Sequence, residues 1–220
     1  MAHHCGLLHV HPRQVGSNYS NNVLLHSLEF DPGLYSAALL QQTEYGSSMS
    51  YEYHLISHYY GNRAAARSGI RLMNHIDEGL AILTEMKASE AVKAAFCLHP
   101  LVQSDEAYEE NFERLCKDDR VGNIPLILAI EYRKAANSYL CKPSTDHWHL
   151  DQIKRKVGVL SLELKQMLIA DKRQNYKDFM AHHFSAHERS WQLYGYFHNW
   201  FKVLGDYTMI PQVREDCCSG

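Results

Sequence analysis

"QIKRKVGVLSLELKQMLIADKRQNYKDFM", residues 152–180, is the longest periodic stretch in the chain, and its period decides the fold class. Val157, Leu160, Leu164, Leu168, Asp171, Asn175 and Phe179 recur every three or four residues, the spacing that lines one face of a helix. Shorter stretches repeat the pattern. "HIDEGLAILTEM" (75–86) sets Ile76, Leu80 and Leu83 on one face, and "SEAVKAAFCLH" (89–99) starts at a plausible N-cap, Ser89, with Val92, Ala95, Phe96 and His99 at helical spacing. "IPLILAIEYRKAANSYL" (124–140) predicts a largely buried helix with Ile127, Ile130 and Lys134 on one side and Leu128, Tyr132 and Ala135 beside it. The breaker cluster "CKPSTDHW" (141–148) separates the last two helices, and neither a strand series nor a Gly-rich phosphate loop is present. The expected fold is all-α, a helical domain over 51–220 preceded by an irregular arm over 1–50, where "VGSNYSNN" is rich in turn residues.

Composition limits what such a domain does. A chain of 220 residues with 45% hydrophobic content can bury a sizeable core. Lys+Arg 22 against Asp+Glu 25, for a net charge of -3 and with no basic run, leaves no electrostatic footprint for nucleic acid or an anionic membrane. No apolar run approaches the roughly 18 residues of a membrane span, and the His-rich start "MAHHCGLLHVH" is unlike a signal peptide. The six cysteines are scattered, apart from the terminal pair Cys217 and Cys218, and form no CxxC motif. A soluble, cytoplasmic protein with reduced thiols is the expectation.

Polar residues interrupt the apolar faces at His99, Asp171 and Asn175, with His75 at the start of its own helix. Each alone reads as a satisfied core residue. Together, two histidines and an aspartate from three helices are a ligand set that manganese, iron or zinc accepts. Other histidines are weaker candidates: the i, i+4 pair His183 and His187 reads as an exposed pair on a polar helix, His147 and His149 as loop residues, and His3, His4, His9 and His11 as adventitious binders in the arm. The aromatic group Tyr51, Tyr53, Tyr59 and Tyr60 reads as core sooner than as a base-stacking platform. "WQLYGYFHNWFKVLG" (191–205) reads as an amphipathic helix that closes the core or, in a homo-oligomer, docks a second subunit.

"RSGIRLMNH" (67–75), "SEAVKAAFCLH" followed by "PLVQSD" (89–105) and "MLIADKRQN" (167–175) resemble, in order and spacing, three signatures of the (p)ppGpp hydrolase domain of RelA/SpoT homologues, a branch of the helical HD superfamily. The resemblance spans about Ile56 to Phe179. It implies an HD-type bundle in which His75, His99 and Asp171 hold one divalent ion, Mn2+ or Fe2+. Arg67, Ser68 and Asn175 would bind a purine nucleotide such as ppGpp. It also implies a carboxylate after the second histidine and an acidic pair that activates water. Here those positions carry Pro100, Gln103 and Ser104, with Asp105 one residue further on. A neutral amide cannot take a proton from water as a carboxylate does, so Gln103 is a poor catalytic group, and Asp105 substitutes only if the helix is distorted. Pro100, which costs about 3 kcal/mol in a helix interior, is expected to break the helix there. The implied protein is an HD-type phosphohydrolase with a degraded, weakly metal-binding centre, or else a catalytically inactive relative that binds a nucleotide or a protein.

Overall fold

Four serines start four of the helices. Ser50, Ser89, Ser104 and Ser161 each accept a hydrogen bond from the backbone N–H three residues on, at 3.2, 3.4, 3.0 and 3.1 Å. Each is followed in the first turn by an acidic residue, Glu52, Glu90, Asp105 or Glu163, which complements the positive end of the helix dipole. The computed structural model describes residues 49–66, 68–140, 149–186 and 189–210. Among them run α1 (Tyr51–Tyr60), α2 (Met73–Glu85), α3 (Glu90–Gln103), α4 (Asp105–Lys117), α5 (Asn123–Leu140), α6 (Leu150–Val157), α7 (Leu162–His182) and α8 (Ser190–Leu204), then a 3-10 turn at Tyr207–Met209. The described residues contain no strand, only an isolated bridge between Ala64 and Arg71, and the fold is all-α as expected.

α3 is the axis of the molecule. It is apolar nearly all round, so it can be stable only where neighbours cover every face, and α1, α2, α4, α5 and α7 do so. Phe96, Leu98, Leu101 and Val102 are wholly buried along it. α7 crosses this core and packs on α2, α3, α5 and α8. α8 closes it with Leu193, Phe197, Trp200 and Phe201, all buried, while Trp191 stays 70% exposed. Beyond α8, Arg173 grips Asp206 through two bonds of 2.7 Å, which ties the segment after α8 back to α7. No helix among the described residues is long and apolar enough to cross a membrane.

The structure corrects four local expectations. The 152–180 stretch is two helices, because Gly158 adopts φ +63° after α6 and Ser161 recaps the chain into α7. Pro100 does not break α3, which continues to Gln103; the turn comes at Ser104, an extended residue that ends α3 and caps α4. On α5, Ile124 and Ile127 are 64% and 58% exposed, and the buried face is Leu128, Ala129, Tyr132 and Ala136. His183 is not an exposed member of a polar helix, since α7 ends at His182 and His183 is buried behind it. His149 is the N-cap residue of α6. The arm up to residue 48, Arg67, His147, His187 and the Cys217–Cys218 pair lie outside the described residues.

Candidate metal centre

Burial of Ile76 and Leu83 turns one face of α2 toward α3 and carries His75, in the first turn, into the interhelical space. Gly79, one turn further along, lets the helices close: a Cβ there would lie 2.1 Å from Cε1 of Phe96. The Phe96 ring fills that space and touches both histidines, with ring centroids 5.5 Å from His75 and 4.7 Å from His99. α7 brings Asp171 to the same point. One ligand atom each from His75, His99 and Asp171 lies within 4.8 Å of the other two.

Hydrogen bonds fix what each ring presents. Nδ1 of His99 lies 2.6 Å from the Phe96 carbonyl oxygen, which only accepts, so Nδ1 carries the proton and Nε2 a lone pair. Nδ1 of His75 lies 2.6 Å from Oε1 of Gln174, whose amide nitrogen donates to Asp178 at 2.7 Å; His75 therefore also donates through Nδ1. The two Nε2 atoms face each other at 3.3 Å, and His75 Nε2 is 3.6 Å from Asp171 Oδ1. Two lone pairs so close to a carboxylate repel, and either a proton on Nε2 of His75 or a cation held between the three groups relieves that repulsion. Burial, then the neighbouring His75, push the His99 pKa down to about 3, so a proton on His99 does not relieve it. A metal ion would: two nitrogens about 2.1 Å from one ion and 3.3 Å apart subtend about 104° at it, close to a tetrahedral angle. An N–H turned outward to a carbonyl or an amide is the usual support of a metal-binding histidine.

Asp171 is held on both oxygens. Asn175 donates to Oδ1 at 2.8 Å and Lys172 to Oδ2 at 2.7 Å. Burial alone would raise its pKa, but Lys172 and then the two histidines hold it down at about 2. Lys172 is itself buried, stacked over Trp200 at 5.0 Å; burial works against its charge, and Asp171 outweighs that to raise its pKa. Tyr132, wholly buried, packs its ring against His99 at a tilt of 56° with centroids 4.7 Å apart, and its hydroxyl has no partner in ordinary hydrogen-bond geometry. Burial, and then the Asp171 charge, keep that hydroxyl protonated. Of the three candidate ligands, only His75 has real exposure, 20% of its side chain, against 3% for Asp171. The open side of the site is therefore that of His75.

The structure thus brings His75, His99, Asp171 and Asn175 together, while Ser68, Gln103, Ser104 and Asp105 make their contacts elsewhere. Ser68 caps its own loop, accepting from the Ile70 N–H at 3.3 Å. Ser104 is spent as a helix cap, and Gln103 is buried with its carbonyl bound to Arg133 at 2.7 Å. Asp105, expected as an acid, is 84% exposed, ion-paired with Arg133 and not a member of the His75–His99–Asp171 group. Asn175 donates to Asp171 through Nδ2, which orients that carboxylate. Sequence reading missed Gln174, Lys172, Tyr132, Phe96 and Gly79. The only signal for Gln174 and Lys172 was their place beside Asp171 and Asn175 on a helix that is otherwise apolar on that face. No protein-family model, curated protein or solved structure matches the chain.

Proposed function

We propose that this protein is a helical metal-binding protein of the HD phosphohydrolase type, with His75, His99 and Asp171 holding one divalent ion beside a site for a phosphorylated purine nucleotide such as ppGpp. One observation carries the reading: two imidazoles with their Nδ1 atoms engaged outward turn their Nε2 atoms toward each other and toward the Asp171 carboxylate. Such an ion, when bound, polarises a phosphoryl oxygen or water. The chain's own residues supply the rest. Gln174 and the Phe96 carbonyl hold the imidazoles in one tautomer, Asn175 and Lys172 hold Asp171, and Phe96 with Tyr132 keeps water away from the buried side.

The positions where the resemblance implies an acidic pair supply no general base, since they carry Gln103 and Ser104, Ser104 is spent as a helix cap, and Asp105 beside them is committed to Arg133. That favours binding with slow turnover over efficient hydrolysis, as general-base assistance is typically worth about 10²–10⁴-fold. Calorimetric titration with Mn2+ tests the centre: one ion per chain is expected for the native protein and none for Asp171→Ala. With Mn2+ present, ppGpp should raise the melting temperature and be hydrolysed very slowly. No Mn2+, Fe2+ or Zn2+ uptake by the native protein would overturn the reading.

A further inference from the structure

Each residue of an α-helix normally donates its backbone N–H to the carbonyl four residues back. Pro100 stands inside α3 and has no N–H to give. The carbonyl it fails to reach is that of Phe96, the same oxygen that accepts Nδ1–H of His99 at 2.6 Å. We propose that Pro100 is a positioning residue of the metal centre: by removing the N–H that would occupy the Phe96 carbonyl, it leaves that oxygen to His99, fixing the tautomer and aiming Nε2 at His75 and Asp171. Its effect on metal affinity rests on the metal-binding reading above; its effect on the His99 tautomer does not.

The surroundings of His99 leave it little choice. It is 1% exposed, and the rings of Phe96 and Tyr132 lie against it at 4.7 Å each, so no water shell can take the proton on Nδ1. A buried N–H without an acceptor is costly, and a carbonyl already bound along the helix axis offers a side chain only a shared bond. Deleting the competing donor resolves both problems with one residue. The position in the helix limits the damage, because α3 ends three residues later at Gln103 and only one axial bond is lost. The proline therefore has a local purpose, although it looks like a defect in the sequence pattern.

The test restores the N–H. In metal-free wild-type protein, long-range 1H–15N NMR should show His99 protonated at Nδ1 with a strongly hydrogen-bonded proton. In Pro100→Ala that bond should weaken and the Nε2–H tautomer should become populated. The melting temperature of the metal-free variant should not fall, because Ala completes the helix. Affinity for Mn2+ should nevertheless drop by about 10–100-fold, the usual cost of losing a ligand's outer partner. Pro100→lactic acid, an ester that lacks both the N–H and the ring, should keep the wild-type tautomer and affinity. A merely structural proline would not move the tautomer, and Pro100→Ala with an unchanged His99 signal and unchanged Mn2+ affinity overturns the inference. Should wild-type protein bind no metal while the tautomer still responds as described, the metal-centre reading fails and the positioning role stands.

Discussion

Gly79→Ala puts two opposing effects at one atom. In the middle of α2, alanine is favoured over glycine by about 1 kcal/mol through helix propensity. The new Cβ, however, would sit 2.1 Å from Cε1 and 2.3 Å from Cζ of Phe96, a wholly buried ring that must move by more than 1 Å to escape. Overpacking of this kind costs about 1–3 kcal/mol, so the clash should prevail and leave the variant about 1 kcal/mol less stable. For a domain of this size, that corresponds to a melting temperature lower by about 2–4 °C. The displaced ring touches both His75 and His99, so the 3.3 Å between their Nε2 atoms should open, with Mn2+ affinity falling roughly tenfold. Thermal melts and calorimetry on Gly79→Ala, Phe96→Leu and the double variant form a cycle. Leucine at 96 makes room for the methyl group, so the double variant should be more stable than the sum of the singles predicts, by about 0.5–3 kcal/mol. If Gly79→Ala instead raises the melting temperature by its full helical increment and leaves metal binding intact, the tight packing of α2 on Phe96 is wrong.

Three further outcomes follow from individual contacts. Gln174→Leu takes the acceptor from Nδ1 of His75 and should weaken Mn2+ binding about tenfold, read by calorimetry. His99 titrates at about 3 in the fold against 6.5 for an ordinary histidine, so between those values the unfolded chain binds the extra proton. Stability of the metal-free protein should therefore fall as pH drops through that window, and melts of His99→Phe should show a shallower acid limb. For Asp206, burial raises the pKa but the Arg173 bonds outweigh it and lower it. Its contribution is present above the usual Asp range and is lost as pH falls through the folded value, so Asp206→Asn should show less loss of stability between about pH 4 and the acid end.

Helical period carried most of the fold, because a buried face must repeat every 3.6 residues and the sequence shows that repeat directly. It failed where one residue decided the backbone. Gly158 at φ +63° splits an apolar stripe whose period continues across the break, so the stripe alone could not reveal it. Pro100 misled in the opposite sense: its propensity cost is real, but the packing of α3 on five neighbours outweighs the loss of one axial bond. In the site, His75, His99 and Asp171 were legible because polar groups on apolar faces need a reason. Gln174 and Phe96 were not, because a glutamine or a phenylalanine on a helix reveals its partner only when helices distant in sequence are brought together. Asp105 illustrates the converse. Its position beside the motif suggested chemistry, yet α4 turns away at Ser104 and gives it to Arg133.

Lys172 sets the charge of the centre. Asp171 is ionised, His99 is neutral, and Lys172 sits 2.7 Å from Oδ2 of Asp171, so the one carboxylate is already compensated before any ion arrives. A divalent cation would add two positive charges where Asp171 and Lys172 are 3% and 1% exposed, and at such burial an unbalanced charge is expensive. The ion should therefore bind weakly alone and more tightly with an anion entering on the open His75 side, and linkage makes the effect reciprocal. With free Mn2+ held fixed, inorganic phosphate should strengthen Mn2+ binding by about 5–150-fold, the ordinary range of such coupling. Lys172→Met keeps much of the apolar stem over Trp200 and removes the competing charge. The metal-free variant should lose about 3–5 kcal/mol, since Asp171 is left buried without its cation. It should nonetheless bind Mn2+ more tightly than wild type and respond less to phosphate. If phosphate leaves wild-type Mn2+ affinity unchanged, or if Lys172→Met weakens Mn2+ binding, charge compensation by Lys172 does not govern what this centre accepts.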